Sequence, residues 1–320
     1  MKTIMTSGII QRRVVISLVG TLMTSAAFFA NPSEAKAAPP NCAALAGLLL
    51  HSGDITNATS AVQPAAMGNA SYCLVNITVS DLAGPEFGYQ PGQKQMINIG
   101  IGLPLSAQDG GSGGVEGNWN GRIENLGGGG YAGSVGPVTP ATNAGYAGSS
   151  TDTGHPASAG GTFALNPDGS LNRGLIRDFA INGIHDQTIW TRDLVQMYYA
   201  MGPRYTYWNG CSTGGRQGHE QAQMFPNDYD GILAGAPAFN WDRFIPSEQW
   251  GEIVMNQELG TTIPSAQLDA VTAAAVTWMA RVGWRRGGGL LSVDERPTAS
   301  VRARLRAWNR RMLVPVRPPP

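Results

Sequence analysis

Apolar and polar residues alternate through "YCLVNITVS" at 72–80, with Val75, Ile77 and Val79 on one side and Leu74, Asn76 and Thr78 on the other. That period predicts a half-buried strand. A second run, "QMINIGIGLP", predicts a strand ending at Pro104, and the rest of 41–90 reads as turns. "NWNGRIENLGGGGYAGS" predicts a strand, then the glycine run 127–130, then a turn. Residues 133–175 are rich in Gly, Ser, Thr and Pro and predict a long surface connection. From Arg177 the pattern changes. In "HDQTIWTRDLVQMYYAM" the side chains of Ile189, Leu194, Met197, Tyr198 and Met201 fall near helical spacing, and Gly202-Pro203 ends the helix. "RYTYWNG" is a short β-rich run, a further helix should start after Ser212 and reach about Phe225, and "YDGILAGAP" predicts a buried strand. Strand, helix, strand, helix, strand is the order of an α/β protein, a parallel sheet covered by helices on both faces.

The two ends of the chain differ from this body. Lys2, Arg12 and Arg13 precede the apolar stretch "VVISLVGTLMTSAAFFA" at 14–30, and a small-residue site follows at Ala35-Lys36-Ala37. The stretch is short for a membrane span and diluted by Ser, Thr and Gly, so residues 1–37 read as a signal peptide and not as a stable membrane anchor. A secreted or periplasmic location follows, where cysteines pair. Cys42 and Cys73 flank a short N-terminal segment and are expected to bridge each other, which leaves Cys211 alone. Residues 38–276 carry the patterned body. Residues 277–320 form an Arg/Pro-rich tail without strand or sustained helical period. Charged residues make up 14% of the 320 and the net charge is +0, which gives no electrostatic case for a nucleic-acid partner. Oligomeric state is left open.

One pentapeptide carries the candidate chemistry. Gly210-Cys211-Ser212-Thr213-Gly214 fits G-x-S-x-G, and it falls between a β-rich run and a helix. A nucleophile on so sharp a strand-to-helix turn needs small neighbours two positions either side, and the turn aims the amide of Thr213 at a substrate carbonyl. A plain alternative for Ser212 is a helix N-cap. The run Gly127–Gly130 can bring a second oxyanion donor, because only glycine lets the main chain come so close.

These residues resemble the tannase/feruloyl esterase family of secreted α/β-hydrolases. The resemblance rests on "WNGR" at 119–122, "GGGGYAG" at 127–133, "STDTGH" at 150–155, "FALNP" at 163–167, "NGCSTGGRQG" at 209–218 and "FPNDYDGILAGAPAFNW" at 225–241. It spans about residues 40–275. It implies an α/β-hydrolase fold, a mostly parallel sheet flanked by helices, and a serine esterase acting on aromatic (galloyl or hydroxycinnamoyl) esters without a cofactor. Ser212 would be the nucleophile, Thr213 and Gly130 the oxyanion hole, and Cys211 would bridge to a cysteine adjoining the catalytic histidine.

The chain departs from that pattern after Ser212. His219 is the one histidine that follows, seven residues along the same helix, about 10 Å of rise away, and a rigid helix keeps it from the serine oxygen. Upstream stand His51, His155 and His185; His155 could touch substrate or order a loop. The family's acid, base, partner cysteine and calcium-carrying lid have no counterparts, so the fold is expected to be incomplete at the C-terminus and the activity impaired. An interrupted reading frame near Val276 accounts for these departures together. The alternative is an exported binding remnant in which Trp119, Tyr131 or Trp241 stacks on an aromatic ligand.

Overall fold

The computed structural model describes residues 38–113 and 117–281. The expected signal peptide, and the tail beyond Arg281, lie outside the described residues. Residues up to Gly235 form one compact unit and those from Ala236 a second.

The first unit opens with helix α1, Cys42–Leu49, capped by Asn41, whose side chain accepts the amide of Ala44. Strands β1 (Ile55–Gln63), β2 (Tyr72–Val79) and β3 (Ile97–Pro104) follow as an antiparallel meander. Val75, Ile77 and Val79 of β2 meet Ile97, Ile99, Ile101 and Leu103 of β3 in one core with Leu45 and Leu49 of α1. Cys42 and Cys73 are joined in a disulfide that ties α1 to β2. β1 reads "ITNATSAVQ", mostly polar and exposed, so it carried no alternation for the sequence to reveal.

Strand β4 is Arg122–Leu126, and a short helix α2 spans Thr139–Asn143. The expected surface connection of 133–175 is wrong at its centre. Gly148–Thr151 form strand β5, fully buried and antiparallel to β3. Its sequence "GSST" has no apolar residue, and its burial is stabilised by hydrogen bonds instead: Ser149 donates to Asn125 Oδ1 at 2.8 Å and Gln187 Nε2 donates to the Ser149 carbonyl at 2.8 Å.

Helix α3, Arg173–Arg177, runs through a π turn, Asp178–Asn182, into α4, Gly183–Tyr199. Ile189 and Met201, expected on the apolar face of α4, are each 38% exposed. The buried face is Ile184, Gln187, Thr188, Thr191, Leu194, Val195, Tyr198 and Tyr199. Thr188 and Thr191 return their hydroxyls to carbonyls one turn earlier, which lets polar residues hold core positions. The helix ends where Ala200 turns left-handed, just before Gly202-Pro203.

Strand β6 (Tyr205–Cys211), helix α5 (Thr213–Met224) and strand β7 (Gly231–Gly235) complete the unit, with β4, β6 and β7 in parallel. The two sheets meet at Ala147, which exchanges backbone bonds with Arg122 and Glu124. The spatial order is therefore β1-β2-β3-β5-β4-β6-β7, half antiparallel and half parallel, not mostly parallel. β7 is an edge strand here, and Leu233 is 65% exposed, so the expectation that this strand is buried is also corrected.

The second unit holds α6, Trp241–Val254, a π turn at Met255–Leu259, and α7, Ser265–Arg281. No residue of α6 is buried, and no helix among the described residues is long and apolar enough to cross a membrane.

Candidate active site

β6 and α5 are joined by one residue, Ser212. Its backbone sits at φ 60°, ψ −118°, outside every region an L-residue prefers. It occupies the N-cap position, yet its side chain makes no capping hydrogen bond, and it is exposed. The N-cap explanation therefore fails: the serine has strain and no structural task for its hydroxyl.

The strain is held by close packing of glycines. A Cβ on Gly210 would lie 2.4 Å from the carbonyl oxygen of Gly214, and one on Gly127 would lie 2.6 Å from Gly214 Cα. Trp208 Nε1 donates to the Gly214 carbonyl at 2.9 Å, and the amide of Ser212 donates to the Gly235 carbonyl at 3.0 Å. Strand, helix and glycine run thus meet backbone to backbone.

The same contacts bring the glycine run to the serine. The amide of Gly127 donates to the Asn209 carbonyl at 2.9 Å, Gly128 donates to Gln217 Oε1 at 3.0 Å, and Thr213 Oγ1 donates to the Gly130 carbonyl at 2.6 Å. Gly130 takes φ 54°, a left-handed turn. The first amides of α5, Thr213 among them, have no intrahelical acceptor and lie at the positive end of the helix. Ser212, Thr213 and Gly130 are therefore gathered at one point.

His155 orders a loop. It is 3% exposed, its Nε2 lies 2.7 Å from the Tyr131 carbonyl, next to Gly130, and its ring stacks on Phe163 at 3.9 Å. Asp152 holds the turn in front of it by accepting the amides of Asn98 and Gly154 at 2.9 and 2.8 Å. Burial raises the Asp152 carboxyl, and these hydrogen bonds oppose that. Trp208, Gln217 and Asp152 were not singled out from the sequence, because none lies at a spacing with chemical meaning of its own.

The remaining titratable groups stand elsewhere. His219 is on α5, about 10 Å of helix rise from Ser212, and Glu220, which burial pushes up to about 7 against the opposing pull of Arg216, is about 12 Å along. His185 bonds Asp228 at 2.8 Å and stacks on Phe225, past the far end of α5. His51 is exposed and bonds the Gly47 carbonyl. Cys211 is exposed with a free thiol. Trp119 is a core residue, 5% exposed and stacked on Tyr199 at 4.3 Å, so it is not offered to a ligand. Among the described residues no group of three or more His, Cys, Asp or Glu could hold a metal ion.

A mixed sheet with helices between its parallel strands and a strained serine at a strand-to-helix elbow define a protein of the α/β-hydrolase type. The family model for tannase and feruloyl esterase matches residues 115–279, just over half of the chain, and the chain belongs to that family. A probable feruloyl esterase of Arthroderma benhamiae is 37% identical over 190 residues, which cover 58% of this chain and 32% of that protein. Feruloyl esterase B of Aspergillus niger is 40% identical over 136 residues, 42% of this chain and 24% of that protein. The chain thus spans about a third or less of the length of these curated relatives. Among solved structures, the tannin acyl hydrolase from Aspergillus niger has the same fold, with a TM-score of 0.54 at 24% identity over 71% of this chain and 40% of that one.

Proposed function

We propose that the chain carries the nucleophile half of a serine carboxylic ester hydrolase acting on small aromatic esters. The observation that carries this is Ser212: exposed, strained at φ 60°, and not used as a cap. Its hydroxyl attacks the ester carbonyl, and the amides of Thr213 and Gly130 receive the oxyanion. The alcohol departs, and water then releases the acid from the acyl-enzyme. The aromatic acyl or alcohol part comes from what the relatives are named for, feruloyl esters and tannin. An exported location is part of the same reading, supported by the 1–37 pattern and the Cys42–Cys73 bridge.

The proton transfer needs a base within about 3 Å of the serine oxygen. None of the four histidines is placed for it, so these 320 residues on their own acylate slowly. The test is turnover of a chromogenic aryl ester, with mass spectrometry of the trapped acyl-enzyme. One acyl group should sit on Ser212, and Ser212→Ala should bring the rate down to that of buffer. An unchanged rate in Ser212→Ala refutes the nucleophile, and a rate equal to that of a full-length family member measured alongside refutes the impairment.

A further inference from the structure

The far end of the glycine run has almost no packing to hold it. Gly129 and Gly130 are exposed, and a Cβ on either would meet nothing within 4 Å. Glycine is also the residue with the freest backbone. A donor to a developing oxyanion, however, acts only if it already stands about 3 Å from that oxygen, with no rearrangement left to make.

What fixes the run is hydrogen bonding, and the side chains that supply it come from one face of one helix. Thr213 and Gln217 are four residues apart on α5, so they are neighbours along the helix surface. The Thr213 hydroxyl donates to the Gly130 carbonyl at 2.6 Å, and Gln217 Oε1 accepts the amide of Gly128 at 3.0 Å. A backbone amide can only donate, so the orientation of the Gln217 side chain is set. The amide of Gly130 has no acceptor among the described residues, which leaves it available to a ligand.

Gln217 is not the residue that stability alone would choose. It is 0% exposed, and its Nε2 is a buried donor without an acceptor among the described residues, which is unfavourable. Methionine would fill the space without that orphan. We infer that Gln217 and the Thr213 hydroxyl are positioning residues, which fasten the oxyanion loop to the helix whose first turn supplies the other donor. The inference rests on the Ser212 reading and adds that both oxyanion donors take their place from α5.

Gln217→Met is compared with Gln221→Met, which alters an equally buried glutamine one turn further along α5, bonded to Glu220 and not to the glycine run. Acylation by a chromogenic aryl ester should slow about 10–100-fold in Gln217→Met at unchanged KM, since a misplacement of about 1 Å loses on that order. Its melting temperature should be no lower than that of Gln221→Met, which should acylate like the parent. The NMR order parameter of the Gly130 amide should fall from about 0.85 to below about 0.6 in Gln217→Met. If circular dichroism shows that this variant does not fold, Thr213→Val takes its place. It keeps the Thr213 amide, removes the hydroxyl, and should slow acylation and loosen Gly130 in the same way, with Thr213→Ser restoring both. A Gln217→Met that acylates at the parent's rate, an equal loss in Gln221→Met, or a Gly130 as mobile in the parent as in the variant overturns the inference. Ser212→Ala, run alongside, keeps the two readings apart: an undiminished rate there sinks the nucleophile, while the Gly130 order parameter still decides the fastening.

Discussion

Gly210→Ala tests whether the elbow is as tightly closed as its contacts imply. The new methyl would meet three backbone atoms of Gly214: the oxygen at 2.4 Å, the carbonyl carbon at 2.5 Å and Cα at 2.8 Å. None is the end of a flexible side chain, so the first turn of α5 must move away from β6. Overpacking of this kind costs about 1–3 kcal/mol. At about 2–4 °C per kcal/mol for a domain of this size, the melting temperature should fall by about 2–12 °C. Gly129→Ala is the internal control. It lies in the neighbouring glycine run, a Cβ there meets nothing within 4 Å, and its backbone is not left-handed. Restricting the unfolded chain should then stabilise by about 0.4–1 kcal/mol. Thermal melts by circular dichroism, with urea titrations to confirm an unchanged slope, compare the two. A Gly210→Ala chain that melts within about 1 °C of the parent, or that loses no more than Gly129→Ala, would refute close packing at the elbow.

Three further outcomes follow from the described contacts. Burial pushes Asp178 up to about 6 against hydrogen bonds from Asn182, Tyr89 and Gln95, and burial raises Asp186 well above the carboxylate range. With Glu220 near 7, the folded chain keeps protons that the unfolded chain has released, so this stabilisation is full below about pH 4 and lost as pH rises to about 7. The urea midpoint should fall across that window, and Asp178→Asn should flatten part of the slope. Reduction of the Cys42–Cys73 bridge, which spans a sequence separation of 31, should cost about 4 kcal/mol in the same assay. Ser212→Gly should raise stability by about 1–3 kcal/mol by relieving the strain at φ 60°, whereas Ser212→Ala, which keeps a Cβ, should not.

The parts of the fold visible in the sequence are those where burial and apolarity coincide. β2 and β3 alternate or run apolar, and both were legible with their ends. β5 and β1 were not, for opposite reasons. "GSST" is buried through side-chain hydrogen bonds, and "ITNATSAVQ" is paired but largely exposed, so neither writes its burial in hydrophobicity. The face of α4 was legible in part: Leu194 and Tyr198 are buried as expected, whereas Ile189 and Met201 are exposed and Thr188 and Thr191 are buried through their hydroxyl bonds. The elbow was legible because glycine stands on both sides of the turn: at 210 a Cβ would lie 2.4 Å from the Gly214 oxygen, and at 214 it would lie 3.1 Å from Gly127 Cα. Its supports, Trp208, Gln217 and the His155–Tyr131 bond, link residues 24 to 89 positions apart or more locally through a ring nitrogen, and spacing carries no trace of such links.

The split character of the sheet bears on how the chain reaches this state. β1, β2 and β3 pair with their sequence neighbours, and their bridge to α1 closes within the same stretch. All three strands of this meander and both cysteines of its bridge have emerged from a ribosome by Pro104. β4 cannot be seated then, since its neighbour on that side, the Ala147–Thr151 segment, is made after it and must be inserted between it and β3. The parallel half has a waiting time imposed by topology, and the Ser212 turn, which needs β4, β6 and α5 together, belongs to that late half.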